Sequence, residues 1–145
     1  MADDRGRTGT GAERPAGGQQ FAADFLQFDL RAAVEELRRE DQSKKGQNAR
    51  TLVKYDDFRI VLITLDRGAH IPSHHTAGRI SIHTVSGHVR VHAEGRSFDL
   101  PQGSVLALDR TIPHQVEAVE PSGVLLTIAW GEEARETREA LGGRA

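Results

Sequence analysis

Residues 68–87 read GAHIPSHHTAGRISIHTVSG, and they decide the fold. Four of the seven histidines of the chain lie in this stretch. From Ile80 onward, apolar and polar side chains alternate, which predicts a β-strand over residues 80–86. Gly87 then leads into a second alternating run, residues 89–93, so the segment predicts two neighbouring strands joined at a glycine.

The same two-residue period continues on both sides of this segment. It predicts a series of short strands, and most of the turns between them contain glycine or proline. The predicted strands cover residues 51–55, 58–65, 80–86, 89–93, 96–100, 104–108, 114–119 and 124–130. No helical pattern interrupts the series. Regular strand spacing of this kind favours a closed or double-sheet antiparallel architecture, which also hides the edges of the sheets.

The chain divides into four predicted segments around one domain. Residues 1–20 contain too few apolar side chains to fold and are predicted to be a disordered tail. Residues 21–50 hold an amphipathic helix and a polar linker, because Leu30, Val34 and Leu37 recur at helical spacing and Asp29 can cap the first turn. Residues 51–131 form the predicted barrel, and residues 132–145 a charged C-terminal tail.

The composition excludes several classes of function. A formal net charge of -2 gives no positive field for nucleic acid or an anionic membrane, so neither is expected as a partner. The absence of cysteine excludes disulfides and thiolate chemistry, and any metal must therefore bind through nitrogen or oxygen. The N-terminal region lacks the apolar run of a signal peptide, and a cytoplasmic location is expected.

Two spacing patterns in the strand region resemble the motifs of the cupin superfamily. Gly68, His74 and Gly87 occupy their places in the first motif, and Gly103 and His114 occupy theirs in the second. The resemblance spans residues 51–130. It implies a small single-domain cupin of the bacterial type, with an all-β double-stranded β-helix (a jelly-roll barrel) and one short N-terminal helix in front of it. It also implies a homodimer.

The departures from the family pattern concern its metal ligands. Thr76 stands where the second histidine of the first motif belongs, and Ile80 stands where the glutamate belongs. The resemblance therefore implies only His74 and His114 as ligands, whereas a catalytic metal site normally needs three. His75 becomes the third ligand if the chain is irregular after Pro72. One alternative to His75 is His83, which faces inward only if a bulge or a changed alternation turns its side chain to the inner face of its strand. The other is the carboxylate of Asp109.

Three functions remain open on the sequence. The first is binding of a small ligand inside the barrel, with a divalent metal (Fe, Mn, Ni or Zn) as its potential cofactor. The second is a metal-dependent enzyme, of the dioxygenase or isomerase class, with a reduced ligand set. The third is a barrel used only for interaction. His74 or His114 could serve as a general base with Tyr55 or Asp109 nearby, but no spacing assigns a catalytic residue. His88 and His92 are expected on an outward face, and His70 in a loop.

Overall fold

The protein was studied as a computed structural model, which describes residues 21–40 and 46–131 apart from the side chain of His74. The predicted tails, 1–20 and 132–145, lie outside the described residues. The elements in chain order are α1 (Leu30–Arg39), β1 (Gln47–Tyr55), β2 (Phe58–Leu65), β3 (His70–His74), β4 (Arg79–Ser86), β5 (His88–Ala93), β6 (Arg96–Pro101), β7 (Val105–Leu108), β8 (His114–Ala118) and β9 (Ser122–Ala129).

The strands form two antiparallel sheets. The five-stranded sheet has the order β1-β2-β9-β4-β7, and the four-stranded sheet has the order β3-β8-β5-β6. Strands that are distant in sequence pair with one another, since β9 lies between β2 and β4 and β8 lies between β3 and β5. This arrangement confirms the double-sheet antiparallel architecture predicted from the strand pattern, and it fits the jelly-roll barrel that the family resemblance implied.

The core lies between the two sheets because each strand turns one set of alternating side chains inward. On β4, Ile80 and Ile82 are buried, whereas Arg79 is exposed and Ser81 is half-buried. The other strands contribute in the same way. The buried residues of this inner cluster are Leu65, Ile80, Ile82, Val89, Val91, Ala93, Leu100, Leu108, Val116, Ala118, Val124, Ile128 and Trp130.

Helix α1 packs on the outer face of the five-stranded sheet. Asp29 caps it as predicted, with a side-chain oxygen that accepts a hydrogen bond from the Ala32 amide at 3.1 Å. Val34 and Leu37 are buried in a second apolar cluster with Leu62 of β2. The predicted helix is therefore confirmed. Within residues 21–40 and 46–131, no helix is long and apolar enough to cross a membrane.

The outer face of the four-stranded sheet is polar. Nε2 of His92 lies 2.6 Å from a carboxylate oxygen of Glu117, and Nε2 of His88 lies 3.2 Å from a carboxylate oxygen of Asp99. Arg90 also donates to Asp99, at 3.0 Å. These contacts confirm the outward positions predicted for His88 and His92.

Two local predictions were wrong. Strand β1 begins at Gln47, inside the stretch interpreted as linker, because its first residues pair with the end of β2. His70 lies on strand β3 rather than in a loop. The register between β3 and β8 shifts by one residue between Ile71 and His74, so Pro72 lies at a bulge of an edge strand, where a missing amide hydrogen is tolerated.

The expected homodimer involves a second copy of the chain, and it stays a prediction.

Candidate functional site

Two short loops lie at one end of the barrel. Residues 75–78 join His74 at the end of β3 to Arg79 at the start of β4, and residues 109–113 join Leu108 of β7 to His114 of β8. The two loops are tied together because the amide of Thr111 donates to the carbonyl of Thr76 at 3.0 Å. We call these loops and the strand ends around them the His114 end of the barrel.

The two histidines of the sequence motifs meet at this end. His74 and His114 are Cα partners in the antiparallel register of β3 and β8. His114 shares its inward face with Val116 and Ala118, and only 3% of its surface is exposed. The two motifs, forty residues apart in the chain, are thus brought together by strand pairing.

The hydrogen bonding of His114 fixes its neutral tautomer. Nδ1 lies 3.0 Å from the carbonyl oxygen of Ile112, and a carbonyl can only accept, so Nδ1 carries the proton and donates. In the neutral ring, Nε2 then holds the lone pair. A histidine whose Nδ1–H is held by a backbone carbonyl is in the form suited to accept a hydrogen bond or to bind a metal through Nε2.

The other two family positions at this end carry no strong metal donor. Thr76 is buried, with 7% exposed, and its hydroxyl oxygen accepts a hydrogen bond from the Gly78 amide at 3.3 Å. Ile80 is buried, with 5% exposed, and offers only hydrocarbon. Of these two positions, one therefore offers only a hydroxyl group and the other only hydrocarbon.

The structure places the candidate third ligands elsewhere. The His75 side chain is exposed in the loop after β3. His83 is half-buried and lies on the face of β4 opposite to Ile80 and Ile82, because the strand keeps its regular alternation. Among the described side chains, which do not include that of His74, no group of three His, Asp or Glu residues could hold a metal ion. The choice of a third ligand stays a prediction.

The proposed helpers of a general base are also engaged in other contacts. Asp109 forms an ion pair with Nε of exposed Arg79 at 2.8 Å. The Arg110 amide and the Arg79 side chain hold the pKa of Asp109 below its usual value. The Tyr55 hydroxyl donates to the carbonyl of Ala23, in the segment before the helix. Neither residue is aimed at His114 by these contacts.

Arg59 also lies at the His114 end, since it pairs with Ile128 and Ile128 pairs with Ile80, and no sequence motif pointed to it. It is half-buried on β2, and its guanidinium carbon lies 5.4 Å from the centroid of the Trp130 ring. Its Nε–H is buried and has no hydrogen-bond acceptor within residues 21–40 and 46–131. The sequence does carry a signal, because Arg59 is the only charged residue in the apolar strand FRIVLITL.

No family model and no curated protein sequence matches this chain. Solved structures do match. An RmlC-like cupin from Desulfovibrio desulfuricans is 27% identical, with a TM-score of 0.57, over 64% of this chain and 91% of the other. A conserved Streptococcus pyogenes protein of unknown function is also 27% identical, with a TM-score of 0.58, over 62% and 79%.

A larger enzyme has a similar domain. A mutant of salicylate 1,2-dioxygenase from Pseudoaminobacter salicylatoxidans is 16% identical, with a TM-score of 0.59, over 77% of this chain but only 33% of the enzyme. At that level of identity the likeness shows the fold alone. Together with the cupin structures, it confirms the jelly-roll fold that the sequence motifs implied.

Proposed function

We propose that this small protein of the cupin type binds a small ligand inside its barrel, at the His114 end, with His74 and His114 as the polar groups of the site. The observation that supports the proposal is the register of β3 and β8, which sets His74 opposite His114. Directly opposed residues in an antiparallel pair have Cβ atoms about 4.5–5.5 Å apart. One small molecule can then contact both rings.

The chemistry of the site favours a ligand with a polar end and an apolar body. The fixed tautomer of His114 presents Nε2 as an acceptor, so a hydroxyl or N–H group of the ligand can donate to it. The inner cluster of the barrel supplies apolar side chains, among them Ile80, Ile82 and Leu108. A buried hydrogen bond of this kind contributes about 1 kcal/mol net, and more when its loss leaves a polar atom unsatisfied.

The donor set does not fit a complete metal centre. Two imidazoles fall short of the three protein ligands of a catalytic site, and Thr76 and Ile80 do not supply the missing ones. We therefore derive no catalytic step. A divalent metal held by His74 and His114, with His75 or His83 as the third ligand, is an alternative that experiment can separate from a metal-free pocket.

The test combines a ligand screen with metal analysis. Wild type, His74→Ala and His114→Ala are screened by ligand-observed NMR against a library of small fragments, with His88→Ala, on the outer face of β5, as the control. Some fragments are expected to bind the wild type and to lose about fivefold to tenfold in affinity in the two site variants, since a lost hydrogen bond of about 1–1.4 kcal/mol corresponds to that factor. Affinity should be unchanged in His88→Ala.

Metal content is measured on the same proteins after supplementation with iron, manganese, nickel or zinc, together with His75→Ala and His83→Ala. Stoichiometric metal that is lost in His74→Ala and His114→Ala would establish the metal-dependent alternative, and loss in one of the other two variants would identify the third ligand. If the site variants bind every fragment as tightly as the wild type, the proposal is wrong. A barrel that binds neither fragment nor metal would favour the interaction-only function.

A further inference from the structure

A cationic side chain shares the His114 end with the two histidines. Strand pairing places Arg59 opposite Ile128 on β9, and Ile128 lies opposite Ile80 at the start of β4. Residues 75–78 lead from His74 directly to this start of β4. Arg59 therefore lies at the same end of the barrel as His74 and His114.

Arg59 lies on the inner face of its sheet. Along β2, Ile63 and Leu65 pack into the inner cluster, whereas Phe58, Ile60 and Leu62 pack under the helix. Arg59 lies an even number of positions from Ile63 and Leu65, so its side chain is on the same face of β2 as theirs. Its cross-strand partner Ile128 is a buried core residue. Side chains that lie directly opposite in an antiparallel pair share one face. The Arg59 side chain stacks against Trp130 of the inner cluster.

The polar surroundings of Arg59 differ from those of other arginines in the structure. Arg50 pairs with Glu36 and Glu40, and Arg79 and Arg90 also have carboxylate partners. Within residues 21–40 and 46–131, Arg59 has no carboxylate partner, and its buried Nε–H has no acceptor. A buried donor without an acceptor is destabilising, and more so when the group is charged. An acceptor supplied from outside the described protein removes that cost.

We propose that the ligand of the barrel is a small organic acid, whose carboxylate binds Arg59 while its apolar body contacts the inner cluster beside Trp130. The inference rests on the proposed function, because it assigns the ligand class of the same site. Guanidinium and carboxylate match in a two-bond geometry, and such charge-assisted bonds are about twice as strong as neutral ones.

The experiment uses benzoate and its neutral counterpart benzamide as probes. Trp130 is the only tryptophan of the chain, so its fluorescence reports binding next to Arg59, and ligand-observed NMR gives an independent affinity. The full-length wild type is compared with Arg59→Met, which keeps the length of the side chain and removes the charge. Arg79→Met, at the same end but paired with Asp109 on the outer face, is the matched control.

We expect wild type to bind benzoate at least tenfold more tightly than benzamide, with a change in Trp130 emission. Arg59→Met should lose this preference, and Arg79→Met should keep it. Arg59→Lys provides a second variant in case Arg59→Met does not fold, as judged by circular dichroism. It keeps the charge but loses the two-bond geometry, and it should weaken benzoate binding several-fold.

Equal affinity for the two probes, no benzoate binding by the wild type, or a preference that survives Arg59→Met would each overturn the inference. The proposed function is judged separately. If neutral fragments still bind in a His114-dependent manner while benzoate does not, the barrel binds ligands but the acid class is wrong. If no probe or fragment binds at all, both proposals fail.

Discussion

Gly87, at the junction of β4 and β5, is the most crowded of the described glycines. Its φ of +86° lies in the left-handed region, and an added Cβ would come within 2.3 Å of the Pro121 carbonyl oxygen and 2.4 Å of the Ser122 hydroxyl oxygen. The buried Ser122 hydroxyl fixes this crossing, because it accepts a hydrogen bond from the His88 amide at 2.9 Å. Gly87, the last glycine of the first sequence motif, thus allows its own segment and the segment around Pro121 and Ser122 to approach closely.

Replacing Gly87 by alanine should destabilise the protein strongly. The left-handed backbone costs about 1–2 kcal/mol for a residue with a Cβ, and the backbone clash adds about 1–3 kcal/mol. Gly103→Ala is the matched control, because its φ is +90° but nothing lies within 4 Å of the added Cβ. Urea unfolding should show a loss of about 3 kcal/mol for Gly87→Ala and about 1 kcal/mol for Gly103→Ala. Equal losses would show that the close approach is unimportant.

Helix α1 depends on a second close approach. Gly123 of β9 faces the helix, and a Cβ added there would lie 2.8 Å from one methyl group of Val34 and 3.0 Å from the other. Val34 is buried in the cluster under the helix. A small residue on the sheet therefore matches a branched residue on the helix.

A double-mutant cycle tests this match. Gly123→Ala should push the helix outward and cost about 1–3 kcal/mol, and Val34→Ala should cost about 2 kcal/mol through the cavity that it leaves. In the double variant, the alanine at 123 has room, so the combined loss should be smaller than the sum by about 1 kcal/mol or more. The free energies of unfolding come from urea titrations. Additive losses would contradict direct contact between the two positions.

The elements that the sequence predicted are those in which one pattern dominates. Helix α1 and strand β4 have clear periods of 3.6 and two residues, because each buries one face only. Strand β3 was not predicted because it has only five residues and contains a proline at a bulge. It forms a strand because it pairs with β8. Pairing of this kind depends on the partner strand and is not encoded in the local sequence.

The candidate site was also predictable only in part from the sequence. The motif spacing pointed to His74 and His114, and the register of β3 and β8 sets them opposite each other. Arg59 was missed because an arginine in an apolar strand can point to either face, and only the pairing with Ile128 shows that it shares the inner one. Pairing across strands, and not closeness in the sequence, therefore brings the residues of such a site together.

At the scale of the whole molecule, the outer faces of the two sheets are stabilised differently. The five-stranded sheet is covered by helix α1 and depends on apolar burial. The outer face of the four-stranded sheet carries ion pairs and hydrogen bonds that link its strands, as in the contact of His92 on β5 with Glu117 on β8. The first kind of contact is insensitive to acid, whereas the second depends on ionised carboxylates.

Acid should therefore weaken the contacts between the strands of the four-stranded sheet. The hydrogen bond from His92 is the main cause that lowers the pKa of Glu117 below the ordinary value of 4.5, and the charges of His92, Arg90 and His70 act in the same direction. A carboxylate whose pKa is lower in the folded state binds fewer protons there than in the unfolded chain. Its stabilisation is complete above the unfolded pKa and is lost as the pH falls through the folded one.

The prediction is that the thermal midpoint of the wild type falls as the pH is lowered from about 5.5 through the ordinary glutamate pKa and below it. Glu117→Gln should be less stable than wild type at the upper end of this range, and the difference should shrink as the pH falls, because the wild-type carboxylate becomes protonated. The control is Glu120→Gln, since exposed Glu120 has no ion pair within residues 21–40 and 46–131. Differential scanning calorimetry at several pH values gives the midpoints. A difference between wild type and Glu117→Gln that stays constant down to pH ~2.5 would show that the lowered pKa of Glu117 does not stabilise the folded state.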